Sequence, residues 1–301
     1  MVCRIQMIAC LVVVGGLLSG SGALASDWKA VQANKLLNVS GMALASAPGA
    51  PVLSMLIAHD NKGKKVYTSK LTWTPTGELK YEALDWDTWV TEPFDLEGLC
   101  RVPGTDTFIA MPSKAGVAYH IKIVPAAWGG EEIKLIKEFS MPELGMSEVE
   151  GVTVGSIGGQ TILVWTARGK AATPGRIAYA SLDLTTYTVG VPKVVEFSVP
   201  WPNTPYLRHI SDVALLDSGA LLVTSCSDPG DYGPFASALY LGGQFFADAD
   251  GNVQFQVNSE PITLRRFKGH KVEAVTILEA ASAMAFGTDD EEFGGSVLLD
   301  Q

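Results

Sequence analysis

The chain has 301 residues, 47% of them hydrophobic, and carries 22 Lys and Arg against 32 Asp and Glu, a formal net charge of −10. That length holds one large domain or two ordinary ones. The excess of acid argues against nucleic acid or an anionic lipid surface as the main partner.

Residues 1–25 read as an export signal: Arg4 supplies the positive start, Met7 to Leu18 the apolar run, and Ala23-Leu24-Ala25 a small-residue cleavage site. The run is short for a membrane span and is interrupted by Gly15 and Gly16. The expected product is a periplasmic or secreted protein, residues 26–301, with no stable membrane insertion. Losing Arg4 leaves 21 basic against 32 acidic residues, a net of −11 (21 − 32). Cys3 and Cys10 leave with the signal, so only Cys100 and Cys226 remain.

One short pattern then recurs five times: apolar, Ser or Glu, a small residue or Asp, apolar. The copies are Val39-Ser40-Gly41-Met42, Leu96-Glu97-Gly98-Leu99, Val149-Glu150-Gly151-Val152, Ile210-Ser211-Asp212-Val213 and Val272-Glu273-Ala274-Val275, at spacings of 57, 53, 61 and 62 residues. After each copy come β-branched and apolar runs bounded by Gly, Pro and Asp, such as Thr107 to Met111, Val117 to Ile123 and Ile133 to Phe139. No helix-period stretch lies between the copies. Four strands per repeat at this spacing predict an all-β, five-bladed β-propeller. The 28 residues after Glu273 suffice for three strands only, so the segment from Trp28 to Leu36 is expected to close the last blade as its outer strand. This register places Cys100 and Cys226 in non-neighbouring blades, too far apart to bridge.

In a propeller, equivalent positions of the first strands meet at the axis. Ser40, Glu97, Glu150, Ser211 and Glu273 are therefore expected to form a ring, and the small residue after each lets the strands approach closely. Three confined carboxylates repel one another unless one is protonated or a cation lies between them. Three Glu and two Ser with waters suit calcium, which takes six to eight oxygens. The absence of His and Cys from the ring argues against zinc or copper. A water-filled polar channel is the alternative.

The order Ser, Glu, Glu, Ser, Glu resembles the calcium site of the calcium-activated nucleotidases (apyrases). The Leu-Glu-Gly-Leu, Val-Glu-Gly-Val and Val-Glu-Ala-Val segments are similar to the SdiA-regulated propellers and the esterase-like phytases, exported bacterial proteins. The resemblance spans the mature chain as a repeat pattern and rests on five short motifs. It implies the propeller and the calcium ion more than any reaction.

The loops at the ring's end of the channel carry 10 of the 21 mature basic residues, Lys62, Lys114, Arg168 and Arg208 among them. Beside a divalent cation they would hold an anionic small molecule. His209 ranks first among candidate bases, ahead of His59 and His270, with Asp212 next to the ring as a candidate acid. Trp165 and Trp201 offer either a sugar-stacking face or core packing. The leading expectation is a calcium-dependent hydrolase of a phosphorylated or other anionic small molecule. The alternatives are a non-catalytic ligand- or protein-binding propeller with structural calcium, and a five-bladed glycosidase using Glu97, Glu150 and Glu273. Equivalent ring positions are expected to give the three glutamates similar surroundings, which counts against an acid–base division among them. Protein recovered from its host should begin at or near Ser26 by N-terminal sequencing; residues 1–25 retained in a membrane fraction would overturn the export signal.

Overall fold

The computed structural model describes residues 28–32, 36–47, 49–61, 66–74, 76–86, 93–114, 116–146, 148–278 and 283–300. The proposed signal and Lys62 lie outside these residues. The chain forms a five-bladed β-propeller. The innermost strands are Gly41–Leu44, Leu96–Arg101, Val149–Ile157, Leu207–Leu215 and Val272–Leu278. Each packs against the next, and the fifth packs against the first, so the ring closes. Within every blade the strands pair antiparallel in chain order, as in Leu96–Arg101, Thr107–Pro112, Val117–Pro125 and Glu131–Ser140.

The last blade has three strands from the C-terminal end of the chain and one from its start. Lys29–Ala30 pairs antiparallel with Ser296–Asp300, Lys29 opposite Val297, and the Val31 N–H donates to the Gly295 carbonyl at 2.9 Å. This is the closure expected of the segment at Trp28, and it covers an edge that would otherwise be unpaired. In the third blade the outer edge splits into Thr188–Val189 and Lys193–Phe197 around Gly190, Val191 and Pro192, where Pro192 has no N–H for the ladder.

The hydrophobic residues sort into five clusters, one at each contact between neighbouring blades. Alternation along an inner strand supplies two of these at once. Met42 packs toward the fifth blade while Ala43 packs toward the second, and Val213 and Ala214 divide in the same way. Trp165 is fully buried between blades two and three, so of its two expected uses the structure selects core packing. Cys100 and Cys226 are buried free thiols in the second and fourth blades.

The repeated motif marks a break in this alternation. Strand pairing slips at Leu96/Gly98, Val149/Val152, Arg208/Asp212 and Val272/Ala274. A β-bulge thus falls at the ring residue in blades two to five, and a bulge re-aims the side chain it carries. The residue after it touches the next blade. A Cβ on Gly41 would stand 2.9 Å from the Leu99 nitrogen, one on Gly98 would stand 3.0 Å from that of Val152, and one on Gly151 would stand 2.8 Å from that of Val213. In the fourth blade this position is Asp212, and its Oδ2 accepts the Val275 N–H at 2.8 Å. Three close approaches and one hydrogen bond thereby perform the same junction. Gly151→Ala should lower stability by about 1–3 kcal/mol through overpacking, read as a lower urea midpoint with an unchanged slope.

Candidate functional site

Ser40 immediately precedes its inner strand, Glu97, Glu150 and Glu273 are second in theirs and Ser211 is fifth in Leu207–Leu215, and together they occupy one mouth of the channel. Ser40, Glu150, Ser211 and Glu273 are buried, whereas Glu97 is partly exposed. Among the described residues the Ser40 hydroxyl has no hydrogen-bond partner. Ser211 is engaged by the neighbouring blade, donating from Oγ to the Val272 carbonyl at 2.8 Å.

The structure breaks the symmetry expected of the ring. Arg168 Nε lies 3.3 Å from Glu150 Oε1, and its Nη2 pairs with Glu148. Arg208 donates from Nη1 to Glu273 Oε1 at 2.9 Å, and its Nη2 pairs with Asp228. Lys271, only 1% exposed, sits 3.6 Å from Glu273 Oε1 and 2.7 Å from Asp289 Oδ2, and also pairs with Glu291. Arg168 and Arg208 were expected to project as mouth charges able to grip an anion; they and Lys271 are instead neutralising acids of the mouth, because a carboxylate taken out of water must find a cation or a proton. Lys114 is exposed at the same mouth.

Glu97 stands apart. Burial pushes its carboxyl well above the ordinary range, and Glu150, Glu273, Asp60 and Asp95 each push it further. Burial raises Glu150 to about 7 against the pull of Arg168, Arg208 and Lys271. Burial also raises Glu273, opposed chiefly by Lys271. Outside the ring, the hydrogen bond from Arg168 outweighs partial burial and holds Glu148 at about 2.

Asp60, Asp95 and Glu97 bring one carboxylate oxygen each to within 4.8 Å of one another. Among the described residues, oxygen ligands for a divalent cation therefore gather on the side of blades one and two, away from the centre of the ring.

The two residues ranked as catalytic have structural partners. His209 is buried, with Nδ1 accepting the Val199 N–H at 3.1 Å and Nε2 donating to the Ala171 carbonyl at 2.8 Å. With both nitrogens committed to main chain, it is placed to pin the approach to the fourth blade rather than to take a proton. Asp212 ties the fourth blade to the fifth as described, and burial raises its carboxyl well above the usual range. His59 is likewise enclosed, bonded to the Asn38 carbonyl at 2.6 Å and Ser69 Oγ at 2.9 Å, and burial lowers it to about 4.

A polar residue also stands two positions before each ring residue: Asn38, Asp95, Glu148, His209 and Lys271, of which the sequence reading singled out only His209. All five are polar and form a second tier at the mouth. Asp95 and Glu148 take positive φ values of 59° and 61°. The same repeat offset would have found this tier, had the pattern been extended upstream from its apolar start.

A cavity of about 540 Å³ occupies the other mouth. The later halves of the inner strands line it, among them Leu44, Val154, Leu215 and Ile277, and none of the ring residues does.

No family model matches the chain, and no curated protein matches it in sequence. Its fold is similar to an endo-arabinase from Bacteroides thetaiotaomicron VPI-5482, at 12% identity and TM-score 0.54, over 89% of this chain and 95% of that one. It is also similar to an exo-1,5-alpha-L-arabinanase from a bovine ruminal metagenomic library, at 8% identity and TM-score 0.51, over 89% and 94% of the two chains. An alpha-L-arabinofuranosidase from Lactobacillus brevis gives 8% identity and TM-score 0.51 over 89% and 93%. The comparisons support a β-propeller and do not support the likeness to apyrases, SdiA-regulated propellers or phytases that the motifs suggested. At these identities the similarity is one of fold.

Proposed function

We propose that this chain is an exported glycoside hydrolase whose reaction is run by carboxylates of the channel ring. The observation that carries the reading is the inequality of Glu97 and Glu150. Glu97 faces other carboxylates and is the ring glutamate with solvent access, while Glu150 lies against Arg168. Unequal surroundings at two nearby acids are what an acid–base division requires. The equivalence that counted against a glycosidase is absent from the folded chain. The three fold neighbours described above, whose names mark them as arabinan-degrading or arabinofuranoside-cleaving, support the same reading.

In this mechanism Glu97 is the general acid. Its proton passes to the glycosidic oxygen as the bond from that oxygen to the anomeric carbon breaks. The Glu150 carboxylate, whose ionised form Arg168 favours against burial, faces the developing positive charge at that carbon and receives the proton of the attacking water. Arg208 and Lys271 lie against Glu273 and only partly offset the effect of its burial. Arg168 and Arg208, expected to bind an anionic substrate, are already paired with acids, which favours an uncharged substrate.

Calcium is the second reading, favoured by the Asp60, Asp95 and Glu97 oxygens. It asks the opposite of Glu97, which must be ionised to ligate the metal. When bound there, calcium would supply positive charge that locks blades one and two at the mouth.

Aryl arabinofuranosides, aryl xylosides and soluble arabinan are the first substrates to assay. Glu97→Gln and Glu150→Gln should each lower kcat by about 10² or more. The rate should rise with pH as Glu150 ionises near 7. A wild type with no turnover across this panel would overturn the hydrolase.

Melting curves separate the proton from the metal. A carboxyl raised by folding contributes stability below its ordinary value of 4.5 and loses it as pH climbs. In chelator, wild type should therefore melt lower at pH 8 than at pH 5, and Glu97→Gln should narrow the difference. Calcium that raises the wild-type midpoint at pH 8 and leaves Glu97→Gln unmoved would establish the metal reading instead.

A further inference from the structure

Six aromatic side chains are exposed among the described residues, and four of them, Phe94, Tyr206, Tyr232 and Phe293, lie in loops at the ring's end of the channel. The other two, Trp128 and Phe246, lie at or beside hairpin turns on the far face. Tyr232 is 74% and Phe293 70% exposed, which costs apolar hydration with no packing in return. Rings left open on an otherwise buried set of aromatics mark a surface that meets a ligand.

The loops that carry three of these rings are joined to one another. The Asp228 N–H donates to the Tyr206 carbonyl at 3.0 Å, and the Glu292 N–H donates to the Asp231 carbonyl at 3.4 Å. Phe293 stands edge-on to Tyr232 and to the buried Phe235, each at 6.4 Å between ring centroids. The same loops are tied to the candidate site, Asp228 through Arg208 to Glu273, and Asp289 and Glu291 through Lys271. The rings are thus held in place beside the carboxylates.

Resting on the glycosidase reading for its link to catalysis, we infer that Tyr206, Tyr232 and Phe293 form a binding track for a neutral polysaccharide chain leading to the ring. A sugar ring offers a C–H face that stacks on an aromatic ring and hydroxyls that bond polar neighbours. Asp231 and Glu292 are exposed beside Tyr232 and Phe293 in the same loops, a negative charge that disfavours a uronate, phosphate or nucleic-acid polymer. The Tyr232 and Phe293 ring planes are 83° apart. They cannot both lie on one flat crystalline face, and they suit a soluble chain whose successive sugars turn.

The test is affinity electrophoresis of the full mature chain in gels containing arabinan, arabinoxylan or polygalacturonate, with adsorption to microcrystalline cellulose alongside. Arabinan or arabinoxylan should retard the wild type, and Tyr232→Ala and Phe293→Ala should each weaken this roughly tenfold. Trp128→Ala, on the far face, should bind as wild type. The track is refuted if neither neutral polymer retards the protein, if polygalacturonate or crystalline cellulose binds as well, or if the two aromatic variants bind unchanged. A wild-type dimer that Tyr232→Ala dissolves would refute it in favour of a self-association surface. Binding without hydrolysis would sustain the track and remove the catalytic reading, whereas aryl-glycoside cleavage without polymer binding would do the reverse.

Discussion

Five strands that begin at one axis bring whatever they carry at their first residues into a space with little water. Around that mouth the described residues place Asp60, Asp95, Glu97, Glu148, Glu150, Asp228, Glu273, Asp289 and Glu291 against Arg168, Lys170, Arg208 and Lys271. So many acids in a confined space cannot all be ionised at little cost. These cations, paired among the described residues, lie in the third, fourth and fifth blades, and at Glu97 burial and the neighbouring acids combine in a repulsion. Whether a proton or a metal ion relieves it there decides the chemistry of the mouth.

The surrounding architecture holds these groups without help from a single central core. Each interface between blades has its own apolar cluster, and each inner strand serves two of them through its alternating side chains. The bulges interrupt that alternation at the ring residue, which frees a polar side chain from an interface where it would have been desolvated without a partner. The glycines after the bulges give up side-chain contacts so that neighbouring backbones can meet. Asp212 shows that the junction can be made in another way, with a carboxylate reaching the N–H that the glycines approach directly.

The arginines and Lys271 also change what the mouth can bind. Read as free charges they favour phosphate or carboxylate ligands; once paired with Glu148, Glu150, Asp228, Glu273, Asp289 and Glu291 they leave an entrance that is acidic and partly aromatic. An uncharged ligand with apolar faces matches such an entrance better than an anion does. This is the common ground of the glycosidase reading and the aromatic track, which otherwise rest on separate residues.

The sequence by itself determined the propeller, the number of blades, the closure near Trp28 and the five ring positions. These follow from periodicities, and a periodicity survives folding because each blade must bury its faces against the next. Its reading of the mouth was less complete. His209 and Arg208 are adjacent and both polar, yet one bonds main chain and the other a ring glutamate on the inner strand of the next blade. Tyr206, Tyr232 and Phe293 carry no repeat signal at all, and Lys271 looks like any loop lysine. Only the tertiary structure decided which cation meets which acid, and with it the inequality of Glu97 and Glu150. Charges in a low-dielectric channel act on one another across the axis, between residues more than fifty positions apart, and nothing local in the chain records those distances.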